Sequence, residues 1–313
     1  MKTSKLFFVF FALLCVTVLF SCQKTEWDTP PEEVVQVSDS VWILTIQATK
    51  TDTKSADTKA FWVDNSGSND VLKFYWKSTE KVKVYSGETC IGTLNVTPTD
   101  TENPEHPKTA TLSGTVNATN VAVGDNLLLM LPTDTWDYSK QNGTLSGSGS
   151  IEETCSFAVS TISITAKDET THTITPSGSV NFTNEQSIYR FAFKLSGSDL
   201  SVKDFVLSAA SNKVVQSRTL QSGAWTSNFG SIKVALTNAT SELVYVALRN
   251  ETEAEDTYAF IITGGDNALY AATKVIPVSV LGAQGKFITA RSVAATKPSF
   301  GASSAINDIA EIY

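Results

Sequence analysis

The chain has 313 residues, a formal charge of -8 and a hydrophobic fraction of 42%. That size suits two ordinary domains or one large one, and the hydrophobic fraction excludes a disordered chain. The acidic balance, without any basic cluster, leaves nothing for a phosphate backbone to grip, so nucleic acid is not an expected partner.

The chain opens on a targeting pattern. Lys2 and Lys5 precede an uncharged apolar run, Leu6 to Phe20, too short to span a bilayer comfortably and suited to the apolar part of a signal peptide. The run ends at Leu19-Phe20-Ser21-Cys22, which resembles the bacterial lipobox. That resemblance implies removal of residues 1–21 by cleavage between Ser21 and Cys22. It also implies acylation of Cys22 and anchoring to the cell outer membrane, since two or three acyl chains hold stably where one does not. An ordinary cysteine in a cleaved signal peptide is the alternative. Residues 22–38, with Pro30-Pro31 and several carboxylates, read as an extended acidic tether.

Beyond the tether the pattern is that of strands. Val41 to Ala48 puts Trp42, Leu44, Ile46 and Ala48 on one face by the two-residue period of a strand, and this strand is expected at a sheet edge. Thr49 to Lys59 is polar, carries Lys50, Lys54 and Lys59, and reads as an exposed loop. Short strands follow at Ala60–Val63, Val71–Trp76, Lys81–Tyr85, Cys90–Val96, Ala110–Val116, Asn126–Leu131, Phe157–Thr165 and His172–Phe182, with turn residues between them. Pro132 to Ser150 reads as a long polar loop holding Trp136 and Tyr138.

A second series begins near Ile188, where Tyr189, Phe191, Phe193 and Leu195 alternate. It continues through Phe205–Ala209, Ile232–Leu236, Leu243–Leu248, Tyr258–Thr263, Leu269–Val280 and Lys286–Val293. Pro277 makes its segment an edge or a strand end. The domains are therefore expected at residues 39–178 and 179–296, with a tail at 297–313 whose spacing fits a short helix and a strand equally. Cys90 and Cys155 are left after the signal segment, and pairing between them stays open.

Several stretches are similar to the fimbrillin family, the type V pilins and related lipoproteins of Bacteroidetes. The lipobox and acidic leash come first, then Thr58-Lys59-Ala60 before the strands. Trp76-Lys77-Ser78-Thr79-Glu80-Lys81-Val82-Lys83-Val84-Tyr85 resembles the family's Trp, acidic residue and Val-x-Val-Tyr pattern. Val123-Gly124-Asp125, Asp137 to Leu145, Phe182 to Ser187 and Gly285-Lys286-Phe287 also fit. The resemblance implies two tandem transthyretin-like β-sandwich domains, an all-β fold. It implies a fimbrial subunit or adhesin whose partners are other pilin subunits and a host or bacterial surface ligand. Assembly would follow a proteolytic cut after the first strand, release of Trp42, Leu44, Ile46 and Ala48, and replacement by a neighbour's strand. The family is cut after Arg, but the first Arg here is Arg190, so Lys50, Lys54 and Lys59 are the basic sites in the loop. The departure favours a minor, tip or anchor subunit.

Catalysis finds no support. His106 and His172 lie in loop-like segments, no phosphate-binding glycine loop or nucleophile motif occurs, and no cofactor or metal is expected. The alternative function is glycan capture by a surface lipoprotein, for which Trp136 and Tyr138, in a polar loop, are the candidate ligand contacts.

Overall fold

A computed structural model describes residues 40–50, 61–64, 71–132, 134–221, 224–281, 285 and 287–298. Cys22, Ser21, the tether, Lys54, Lys59, the turn cluster after Asp64 and the tail from residue 299 lie outside them. The strands are, in order, β1 Val41–Thr49, β2 Phe61–Asp64, β3 Val71–Phe74, β4 Lys81–Ser86, β5 Thr89–Pro98, β6 Thr109–Asn117, β7 Asn126–Leu131, β8 Thr135–Asp137 and β9 Lys140–Gln141. A single turn of helix, α1 Ile151–Thr154, leads to β10 Ala158–Asp168, β11 Thr173–Pro176, β12 Ser179–Asn181 and β13 Thr183–Asn184. The second series is β14 Ser187–Leu195, β15 Ser198–Asp199, β16 Val202–Ala209, β17 Val215–Gln221, β18 Ala224–Phe229, β19 Ile232–Thr240, β20 Val244–Leu248, β21 Asp256–Gly264 and β22 Leu269–Ile276. A second short helix, α2 Val278–Leu281, precedes β23 Phe287–Thr296. The fold is all-β. Pro98 and Pro176 end their strands and Pro277 stops β22, because proline cannot donate to a ladder.

The first sheet runs β11-β1-β6-β5-β4-β7-β10, and β11 also pairs β10, so hydrogen bonding passes all the way round. The sheet thereby closes on itself as a ring. Inward positions alternate strictly: Trp42, Leu44, Ile46 and Ala48 from β1 meet Val82, Val84, Leu94, Val96, Leu112, Leu129 and Ile162 in one core. Closure matters because a ring presents no open edge for another chain to extend.

The second sheet runs β20-β14-β23-β22-β21-β16-β19-β9. Its last strand comes from the first half of the chain. The segment from Pro132 to Phe157 leaves the first ring as a strap. Its β8 pairs β17, and its β9 lies parallel to β19. The strap then bridges to β20: the Gln141 side-chain amide donates to Ala247 O at 2.8 Å and accepts from Ala247 N at 2.8 Å, and Tyr245 N donates to Gly143 O. Trp136, Tyr138, Ile151, Cys155 and Phe157 consequently belong to the second core, with Phe191, Phe205 and Phe260.

The expected polar loop at Pro132–Ser150 is thus a packed strap. The expected boundary at residue 178 precedes the last strands of the first sheet, since β12 pairs β1 and β13 pairs β10. Gly143 is where the strap squeezes between β19 and β20. It sits at φ +76°, and a Cβ there would lie 2.3 Å from the Leu236 side chain and 2.8 Å from Val244. Gly143→Ala is expected to cost about 1–3 kcal/mol in urea unfolding, combining left-handed backbone strain with overpacking. An unchanged midpoint would show that the strap is not packed tightly between β19 and β20.

Candidate functional site

The strand expected to leave, β1, is the natural place to build a site. Its period-two pattern puts Trp42, Leu44, Ile46 and Ala48 inward, each with at most 2% exposure. Burial of the larger three is worth about 1.5–3 kcal/mol each. The expectation of an edge position is corrected. β1 lies between β6, antiparallel from Val41↔Asn117 to Thr49↔Thr109, and the parallel strands β11 and β12. The parallel side touches only Ile43 and Leu44 on β11 and Gln47 to Thr49 on β12. One flank is a full ladder and the other a broken one. Trp42 packs against His172, ring centroids 5.3 Å apart, and the Lys167 ammonium sits 4.1 Å above its ring.

The inward row does not end at Ala48. Lys50 continues it and is fully buried. Its Nζ donates to Tyr75 O at 2.8 Å, pairs with Glu80 Oε2 at 3.0 Å and Oε1 at 3.2 Å, and lies 4.0 Å from the Trp76 ring centroid. Glu80 is held independently, because its Oε2 accepts from the Lys77 backbone N at 2.9 Å and its own N donates to Lys77 O. The Lys50 backbone N donates to Lys108 O, and the Lys108 ammonium donates to Phe74 O. A lysine expected in an exposed protease-sensitive loop is instead the most tightly held residue at the end of β1. A protease needs that side chain in its own pocket, so the folded chain withholds Lys50 as a cleavage site.

The candidate ligand contacts are also corrected. Trp136 and Tyr138 are both fully buried. Trp136 is stacked on Phe157 at 5.4 Å and lies 4.1 Å from Trp225, and Tyr138 meets Phe157 edge-on at 5.3 Å. Burial raises the Tyr138 hydroxyl well above its ordinary value. Neither ring can stack on a sugar. An open cleft of about 750 Å³ between the start of β4 and the strap is lined by Lys77, Glu80, Lys81, Ser150, Glu152 and Glu153, and none of its described lining residues is aromatic. An ion pair between Lys77 and Glu152 ties its two walls.

Between β13 and β14, Glu185 accepts from both Arg249 and Arg218, and Glu251 accepts from Arg249 Nε at 3.1 Å. Burial draws the Arg218 pKa down. The same guanidinium lies 4.7 Å from the Trp225 ring. This network has no sequence signature: its four charged residues come from three segments, Arg249 and Glu251 sharing the one after β20.

Cys90 is exposed and Cys155 buried, and both are free thiols. Burial pushes the Cys155 thiol up to about 12, against a smaller opposing effect of its Thr154 hydrogen bond. Of these two, only Cys90 is expected to be alkylated by iodoacetamide near about pH 8, because the thiolate is the nucleophile. Peptide mass mapping reads the result, and equal labelling of Cys155 would mean that the strap is not packed. Among the described residues no group of three or more His, Cys, Asp or Glu side chains could hold a metal, and no helix is long and apolar enough to cross a membrane.

No protein-family model matches the chain, and no curated protein matches it. Solved structures do. A putative cell adhesion protein from Bacteroides uniformis is 13% identical, with 75% of this chain and 99% of that one covered at a TM-score of 0.37. A putative cell adhesion protein from Bacteroides eggerthii is 10% identical, with 81% and 86% covered at 0.38. The major pilin T-13 of Streptococcus pyogenes is 11% identical, with 83% and 97% covered at 0.21.

Proposed function

We propose that the chain is a structural subunit or adhesin of a cell-surface fimbria, assembled by release of β1 after proteolysis and its replacement by a strand from another subunit. The observation that carries this reading is the place of β1. It is the first strand of a closed ring, it supplies four core side chains, and the polar segment bearing Lys54 and Lys59 follows it directly. A closed ring has no edge on which to polymerise, so a strand must leave before another can join. Its departure would uncover an apolar groove with two rims of unpaired backbone groups, a far stronger acceptor than a single edge. Before processing, Cys22 would hold the chain on the outer membrane, and the fimbrium would be its place afterwards. Other pilin subunits are the partners, and a host or bacterial surface ligand belongs to the adhesin form. The chain is not read as an enzyme. Glycan capture loses its support because Trp136 and Tyr138 are core residues.

Mild trypsin tests the reading on the native full chain. N-termini at Ser55 or Ala60 are expected, not at Thr51, and the nicked protein should form oligomers that light scattering detects. A nicked protein that stays monomeric at high concentration, alone and with other surface subunits added, would overturn the assembly.

A further inference from the structure

The groove around β1 asks for more than alternating apolar side chains. Where the inward row reaches Lys50, three oxygen acceptors and the face of Trp76 surround one ammonium group: Tyr75 O at 2.8 Å, Glu80 Oε2 at 3.0 Å and Glu80 Oε1 at 3.2 Å. The Glu80 carboxylate is fixed by the Lys77 amide, not by Lys50 alone, so it would keep its place when β1 departs. Its side chain is 5% exposed. A replacement strand that covered it without supplying a cation would leave a buried, unbalanced charge, which proteins tolerate poorly.

The small residue before it matters too. Ala48 is the last and smallest apolar member of an inward row that begins at Trp42 and passes through Leu44 and Ile46. The chain ends a second strand in the same way. In β23, Val293 and Ala295 point inward, and Lys297 follows two residues on with its ammonium 5.7 Å from the Tyr270 ring. β23 likewise lies between one parallel neighbour, β14, and one antiparallel neighbour, β22. Lys297 is exposed where Lys50 is fully buried, so the demand is stronger at the first ring.

We propose that Glu80, Tyr75 O and Trp76 form a register-reading pocket, which admits as a replacement for β1 only a subunit strand carrying a lysine two residues beyond a small inward residue. A compact ammonium with three rotatable donors suits acceptors converging on one point. A planar guanidinium suits them less well, because its donors are held in a fixed fork. A neutral residue leaves Glu80 unpaired, and a one-residue slip turns the lysine outward while driving a polar side chain in. The pocket therefore selects both partner and register. This inference rests on the strand-release reading above.

The test uses the full chain nicked in the 51–59 segment, with β1 still seated. Labelled synthetic peptides of residues 39–50, either unaltered or carrying Lys50→Arg or Lys50→Met, compete with the resident strand, and fluorescence anisotropy reports exchange. The unaltered peptide is expected to exchange at a concentration at least about a hundredfold below the Lys50→Met peptide, with the Lys50→Arg peptide between them. In a nicked Glu80→Gln chain, isosteric and still able to accept from the Lys77 amide, that difference should fall below about threefold. Equal midpoints for the three peptides on the unaltered chain would overturn the pocket while leaving strand exchange intact, and so would discrimination that persists on the Glu80→Gln chain. Failure of every peptide to exchange would overturn strand release itself, and the pocket with it.

Discussion

The Lys50→Met chain is expected to unfold at a lower urea midpoint, with a loss of about 3–5 kcal/mol. The substitution keeps a long apolar stem in the core and removes only the ammonium group. What it leaves is Glu80, buried beside Trp76 and facing Tyr75 O, with the Lys77 amide as a remaining donor. Attraction between the two charges is not the main quantity. Burying a well-matched pair is close to neutral against an apolar alternative, whereas stranding one member is not. The double substitution Lys50→Met with Glu80→Gln should therefore recover most of the loss, to within about 1 kcal/mol of the original chain. The two single changes and the double form a cycle whose coupling energy is the measured quantity. A Lys50→Met loss below about 1 kcal/mol would place the pair among solvent-screened surface ion pairs and remove the reason for calling the end of β1 latched. The same cycle bears on maturation. Weakening the latch should speed amide exchange in β1 more than in β21, which lies in the other sheet.

The strands are legible in the sequence because burial imposes a period of two on them. Trp42, Leu44, Ile46 and Ala48 announce β1, Tyr189, Phe191 and Phe193 announce β14, and Pro277 marks the end of β22. Their neighbours are not legible. Whether β1 is an edge depends on β11 and β12, far off along the chain, whose short pairings leave no local trace. Lys50 is misleading for an instructive reason. The alternation through Ala48 predicts that position 50 points inward, but lysine and the polar residues after it read as solvent-facing. The pattern is right, and the buried partner that makes a lysine tolerable, Glu80, is a tertiary fact. Trp136 and Tyr138 repeat the lesson. Their surroundings in sequence are polar, yet they too are two residues apart, on one face of a strap. Only the crossing of that strap to the second core supplies the neighbours they pack against. In both cases periodicity carries more information than the polarity of the neighbours.

That strap makes the second large prediction. Trp136→Ala is expected to lower the unfolding free energy by about 3–5 kcal/mol in urea titration, the range for deleting a large buried aromatic ring and leaving a cavity. Trp136 is fully buried between Phe157 and Trp225, so the vacated space is walled by rings that cannot collapse together without moving β8 off β17. The loss should have a local signature. Cys155 Sγ lies 3.7 Å from Asp137 O, one residue from Trp136, and its protection depends on the strap staying down. Cys155 should accordingly become reactive to iodoacetamide in the Trp136→Ala chain under conditions where the original chain labels only Cys90. Trp225→Ala, at a half-buried ring on the outer side of the same stack, should cost less and leave Cys155 protected. A Trp136→Ala chain of unchanged stability, with Cys155 still silent, would mean that this ring is not a keystone of the second core and would reopen the case for an exposed ligand contact at that position.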